Sequence, residues 1–149
     1  MAVRSFIDTN VLVYAQASDV PDKQRAALDL LKELYEQGLG VLSTQVLQEF
    51  CNVALKKLKL SERDLRSQLD LYEQFEVVQV TPTIIRAALD VRQTRSVSFF
   101  DAMVLASAHT AGCSVLWTED MNAGEEVNGV RISNPFTGVE LVAQKPTKS

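Results

Sequence analysis

Short apolar runs alternate along the chain with longer segments in which apolar residues return every three or four positions. Residues 3–7 read as a short buried strand ending at Asp8, and a helix can start directly after it over 10–17. Pro21 marks the next helix start. Ala27, Leu28, Leu31, Leu34 and Tyr35 follow at helical spacing until Gly38 stops the run. Residues 40–42 form a second strand. Ser43 is placed to cap a helix with Val46, Leu47, Phe50, Val53, Ala54 and Leu58 on one face. Ser61 with Asp64 marks another helix start, with Leu65, Leu69 and Tyr72 as its apolar positions.

A third strand is expected over 76–80, and Thr81-Pro82 opens a helix to about residue 93. Ser98 starts a helix that is apolar on most sides, through Phe99, Phe100, Ala102, Met103, Val104, Leu105, Ala106 and Ala108, and Gly112 ends it. A helix of that kind belongs in the centre of a fold. Residues 114–117 make a fourth strand, and 130–132 are the candidate for a fifth. Strands alternating with helices imply an α/β fold, with a parallel sheet covered on both faces. In such sheets ligands bind beyond the carboxyl ends of the strands, so the residues just after each strand are the ones to inspect.

Length and composition narrow the picture. The chain has 149 residues, which fits a single domain; 1–142 is expected to be that domain and 143–149 a flexible tail rich in Lys, Pro, Thr and Ser. The longest uncharged stretch, 102–118, is broken by Ser107, His109, Thr110, Gly112 and Ser114, so no membrane span is read. Asp8 cuts the first apolar run too short for a signal peptide, which makes the cytoplasm the expected compartment. Cys51 and Cys113 form no C-x-x-C pair, and His109 is the single histidine, which argues against structural zinc and against Ser-His-Asp or Cys-His chemistry. His109 itself is expected to pack. The 15 Lys and Arg against 19 Asp and Glu leave a net charge of -4, a poor balance for wrapping duplex DNA.

Four acids fall where this fold would gather them. Asp8 follows the first strand, and Asp120 follows the fourth in Thr118-Glu119-Asp120. Glu49 lies on the helix after the second strand, and Asp101 in the first turn of the buried helix. Each also has a structural reading. Asp8 suits a helix cap, Ser98-x-x-Asp101 resembles a capping box, Glu49 suits a solvated face, and Glu119-Asp120 suit a turn. Their convergence is what points to chemistry. Two carboxylates about 4 Å apart repel by about 4 kcal/mol at an effective dielectric near 20. That is a large fraction of the roughly 5–15 kcal/mol by which a domain is stable. A divalent cation reverses the sign. Mg²⁺ and Mn²⁺ prefer carboxylate oxygens and water, bind phosphate, and make hydroxide available for attack at phosphorus.

At these residues the chain resembles the PIN-domain nucleases, and especially the VapC-type toxins of bacterial toxin–antitoxin pairs. The resemblance runs through Phe6-Ile7-Asp8-Thr9-Asn10-Val11-Leu12, Ser43 to Glu49-Phe50, Ser98-Phe99-Phe100-Asp101-Ala102, and Gly112-Cys113 to Trp117-Thr118-Glu119-Asp120-Met121. It implies a three-layer α/β/α sandwich with a central, mainly parallel sheet of four to five strands. It further implies a metal-dependent endoribonuclease. Asp8 and Asp101 would be the principal Mg²⁺ or Mn²⁺ ligands, Asp120 would complete the site, and Glu49 would orient water or help hold a second ion. Thr9, Asn10 and Thr118 match small polar residues that the family places around metal and phosphate. Asn122 stands where some members carry a further acid, and serves at most as an auxiliary oxygen ligand. The implied partners are RNA, a second copy in a homodimer, and a small antitoxin whose segment covers the acidic pocket.

Basic residues offer a path for RNA. Lys56, Lys57, Lys59, Arg63 and Arg66 outnumber Glu62 and Asp64, and Arg92 and Arg95 precede the Asp101 helix. Lys56, Lys57 and Arg95 are candidate phosphate contacts, although a solvated helix face explains such residues equally well. Two rival readings remain open at this level. One is a haloacid-dehalogenase-like phosphatase or a receiver domain using Asp8 as nucleophile; it lacks a second Asp in Asp8-Thr9-Asn10 and a Lys after a late strand. The other is a non-catalytic PIN-like module that binds RNA or protein.

Overall fold

In the computed structural model, which describes residues 3–137, six strands form one sheet in the order β3-β2-β1-β4-β6-β5. The parallel part comprises β1 (Ser5–Ile7), β2 (Gly40–Ser43), β3 (Glu76–Val78), β4 (Val115–Trp117) and β6 (Val130–Ser133). Every residue of β1 and β2 is buried, as strands covered on both faces require, and neither alternates between apolar and polar positions. Gly40 opens β2 because a side chain there would strike the Phe75 ring, 2.5 Å from an added Cβ.

Among the described residues the sheet is flanked by α1 (Thr9–Tyr14), α2 (Pro21–Gln37), α3 (Thr44–Lys56), α4 (Glu62–Tyr72), α5 (Pro82–Thr94) and α6 (Phe99–Thr110). Their starts follow from local chemistry. Ser43, Ser61, Thr81 and Ser98 each accept a hydrogen bond from a backbone N–H three residues on, satisfying donors that a helix start leaves unpaired. Helix α6 contacts β2, β4 and β6 and runs along α5. Ala102 through Ala108 are all buried, as its apolar character on most sides requires. Phe6, Leu12, Leu42, Phe50, Leu116 and Phe136 are among the largest side chains fully enclosed in the core. No helix among the described residues is long and apolar enough to cross a membrane.

The sheet departs from the four to five strands expected. The additional strand, β5 (Glu126–Val127), pairs antiparallel with β6. Asn128 and Gly129 join them with φ of 50° and 84°, the backbone sense that two-residue hairpins require. His109, expected to pack, is exposed instead; its Nδ1 lies 3.0 Å from the carbonyl oxygen of Asn128 and ties α6 to this hairpin. The tail expected over 143–149 lies outside the described residues.

Strand β1 sits between β2 and β4. The chain leaves β1 toward β2 and β3 on one side, and returns to β4 and β6 on the other. This reversal makes the carboxyl ends of β1 and β4 the topological switch point, where open α/β sheets bind ligands.

Candidate active site

Asp8 is the first residue beyond β1. Its backbone N–H continues the ladder by donating to the Trp117 carbonyl at 3.0 Å, and its extended backbone makes it the N-cap of α1. Oδ1 accepts from the Thr9 N–H at 2.7 Å, and Oδ2 accepts from the Thr118 hydroxyl at 2.8 Å. The side chain is only 4% exposed. Burial lifts its pKa from 3.8 to about 6, the Thr118 and Thr9 bonds oppose the rise, and the charges of Asp120 and Glu49 add to it.

Thr118 and Asn10 join Asp8 to Asp120. The Thr118 hydroxyl spends its single proton on Asp8 and accepts from the Asp120 N–H at 3.1 Å and from Asn10 Nδ2 at 3.0 Å. Its capacity of one donor and two acceptor sites is thereby filled. Asn10 Nδ2 also reaches Asp120 Oδ2 at 3.1 Å, while Asn10 Oδ1 accepts from the Glu119 N–H at 3.3 Å. One amide thus holds the start of α1 against the turn after β4.

Glu49 reaches the same place from α3. Burial of Val46 and Phe50 on either side sets the rotation of that helix, and the Thr9 hydroxyl donates to Glu49 Oε1 at 2.7 Å. Asp101 comes from the first turn of α6. Ser98 caps that turn by accepting from the Asp101 N–H at 3.1 Å, so the cap is the serine. Partial burial raises the Asp101 pKa, the Ser98 hydroxyl opposes this, and the charges of Asp120 and Glu49 raise it further.

Asp8, Glu49, Asp101 and Asp120 line one cavity of about 500 Å³. Thr9, Asn10 and Lys57 line it too, whereas Thr118 is fully buried and Lys56 is exposed outside the lining. Arg95 pairs with Glu125 at 3.2 Å and donates to the Glu126 carbonyl at 3.0 Å. It borders a neighbouring cavity with Asn122, which Asp101 and Asp120 also line. Five polar or aromatic lining residues were not singled out from the sequence as site residues: Tyr14, Gln45, Asn52, Phe100 and Glu119. Glu119 and Phe100 carried a signal, as the neighbours of Asp120 and Asp101. The Glu119 carboxylate accepts from the Tyr14 hydroxyl at 2.7 Å and pairs with Lys23 at 3.0 Å.

Among the described residues no Lys or Arg pairs with any of the four acids. Nor is any group of three or more His, Cys, Asp or Glu side chains set to hold an ion as it stands. The donor set still fits Mg²⁺ or Mn²⁺. Such ions take hard oxygen ligands, keep several waters and need only one or two carboxylates. Here four carboxylates face one cavity, and the most buried of them has no cation partner among the described residues.

The PIN domain family profile matches residues 5–125. No curated protein matches the sequence. Among solved structures, a toxin–antitoxin complex from Klebsiella pneumoniae is similar at 20% identity and a TM-score of 0.64, covering 88% of this chain and 97% of that one. DNA-bound VapBC from Salmonella typhimurium is similar at 19% identity and a TM-score of 0.66, covering 90% and 99%. VapC20 from Mycobacterium tuberculosis, a toxin that cleaves the sarcin-ricin loop, is similar at 18% identity and a TM-score of 0.58, covering 75% and 86%. At these identities the likeness is one of fold.

Proposed function

Because the chain belongs to the PIN domain family, we propose that it is a metal-dependent endoribonuclease of the VapC type, the toxin of a toxin–antitoxin pair. The observation that carries this reading is the meeting of Asp8, Glu49, Asp101 and Asp120, from four separate elements, around one cavity. The similar folds of two toxin–antitoxin assemblies and of an RNA-cleaving toxin support an RNA substrate and a small antitoxin partner. A homodimer acting in the cytoplasm, with 1–142 as its single domain, belongs to the same proposal.

In this reading Asp8 and Asp101 are the principal ligands of Mg²⁺ or Mn²⁺, and Asp120 completes the set directly or through water. A bound ion supplies charge neutralisation at the phosphate and a more acidic water. The chain's own contribution is to fix the acids before substrate arrives. Thr9 and Thr118 hold both oxygens of Asp8, and Asn10 holds Asp120. Thr9 anchors Glu49 through Oε1 alone, leaving Oε2 to orient the attacking water and take its proton. Thr118, being buried, acts on the acids rather than on RNA. Lys57 is the phosphate contact nearest the acids, with Arg95 and Asn122 bordering the strand's path on the far side of Asp101.

The test is cleavage of a mixed pool of structured RNA by the wild type with Mn²⁺, by the wild type with EDTA, and by Asp101→Asn with Mn²⁺. Products are expected only in the first sample. Equal cleavage in all three overturns the proposal. RNA binding without cleavage, across metals and substrates, identifies a non-catalytic module instead.

A further inference from the structure

Phe100 is 59% exposed, yet it stands next to Asp101 and lines the acidic cavity. Other large apolar side chains of the described residues are exposed as well, but none of them lines this cavity. Phe99, packed against the core, meets the Phe100 ring edge-on, with ring centroids 5.4 Å apart at 66°. Val13, Val53 and Val104 give the same cavity an apolar wall.

Gln45 supplies a second, independent feature. It is 6% exposed and lines the cavity, and its Nε2 donates to the Phe100 carbonyl at 3.3 Å. A carbonyl only accepts, so this bond fixes the amide's orientation and leaves Oε1 as the remaining acceptor. That buried oxygen has no partner. Buried acceptors are nearly always satisfied, and one left unpartnered in a side chain that lines a cavity points to a donor brought in with a ligand.

We propose that Phe100 and Gln45 form a subsite for one unpaired nucleotide beside the acids, the ring stacking on its base and Gln45 Oε1 accepting a hydrogen bond from a donor on the same nucleotide. The chemistry fits this occupant. A nucleotide whose phosphate lies among carboxylates and Lys57 carries its base within reach of the adjoining wall. Bases stack on aromatic rings whatever their identity, while a hydroxyl or ring N–H supplies the donor. The subsite rests on the endoribonuclease reading but is tested without cleavage.

The experiment uses short single-stranded oligoribonucleotides of mixed sequence carrying 2-aminopurine at one site. Binding and fluorescence are measured with Mg²⁺ in an Asp101→Asn background. One labelled position is expected to be quenched by this protein and by its Phe100→Trp derivative. Phe100→Leu should lose the quench and bind about tenfold more weakly, a difference that disappears when that nucleotide is abasic. Gln45→Met should also weaken binding. If its effect disappears on the abasic nucleotide the donor is the base, and if it disappears on the 2′-deoxy nucleotide the donor is the ribose. An unchanged quench in Phe100→Leu overturns the proposal, as does a loss of affinity that ignores the base. So does Phe100→Leu weakening self-association or a protein partner while leaving RNA binding intact. Absence of wild-type cleavage with Mn²⁺ counts against the nuclease reading alone, since the quench is read separately.

Discussion

The Thr118 hydroxyl donates to Asp8 Oδ2 at 2.8 Å and accepts from the Asp120 backbone at 3.1 Å, so one buried side chain sets two acids from opposite ends of the sequence. Thr118→Val keeps the shape and removes these bonds together with the one from Asn10. Loss of buried hydrogen bonds of this kind costs about 1–3 kcal/mol. Without its donor, Asp8 should hold its proton to higher pH. Urea denaturation should show the stability loss, and the pH midpoint of cleavage should rise. Thr118→Ser should restore both; an unchanged midpoint in Thr118→Val would show that the bond leaves Asp8 untouched.

Asp8 also makes a pH prediction for the metal-free protein. Its pKa is raised from 3.8 unfolded to about 6 folded, so between those values the folded state binds the extra proton. Stability therefore falls as pH rises from about 4 to about 6, by on the order of 3 kcal/mol from this group. Asp8→Asn keeps an oxygen for the Thr9 N–H, gives up the acceptor for Thr118, and should flatten that slope. Melting in EDTA across the window reads the difference, and a wild type that gains stability with rising pH there contradicts it.

Asp101 separates charge from architecture, because Ser98 rather than the aspartate caps α6. Asp101→Asn should abolish cleavage while leaving metal-free stability equal to or above wild type. Mn²⁺ should raise the wild-type melting temperature with the logarithm of its concentration over Kd, and raise that of Asp101→Asn much less. A clear loss of metal-free stability in the variant would assign Asp101 a structural role.

The β5–β6 hairpin offers a change remote from the acids. Gly129 has φ of 84°, which a branched side chain tolerates poorly. Gly129→Val should cost about 1–2 kcal/mol while leaving the metal dependence of cleavage intact. Altered metal dependence would tie the hairpin to the site.

How much of this was legible depended on how far each signal reaches along the chain. Caps at Ser43, Ser61 and Ser98 are written within four residues, and the acids at Asp8 and Asp120 follow apolar runs that mark strand ends. From those ends the switch-point rule could place the cavity. Hydrogen bonds such as Asn10 to Thr118 span 108 positions and leave no local trace. Gln45 and Phe100 lie on the same helical patterns as core residues, so spacing could not separate a cavity wall from packing. The two-residue strand at Glu126 carries too little apolar sequence to register.

Helix α6 is enclosed over seven successive residues, from Ala102 to Ala108, directly behind the turn that presents Asp101. Close-packed interiors resist rotation and sliding, so the carboxylate rides on an anvil rather than a spring. A protein that blocked this site by plugging its mouth would therefore meet a fixed surface and would need to bend nothing.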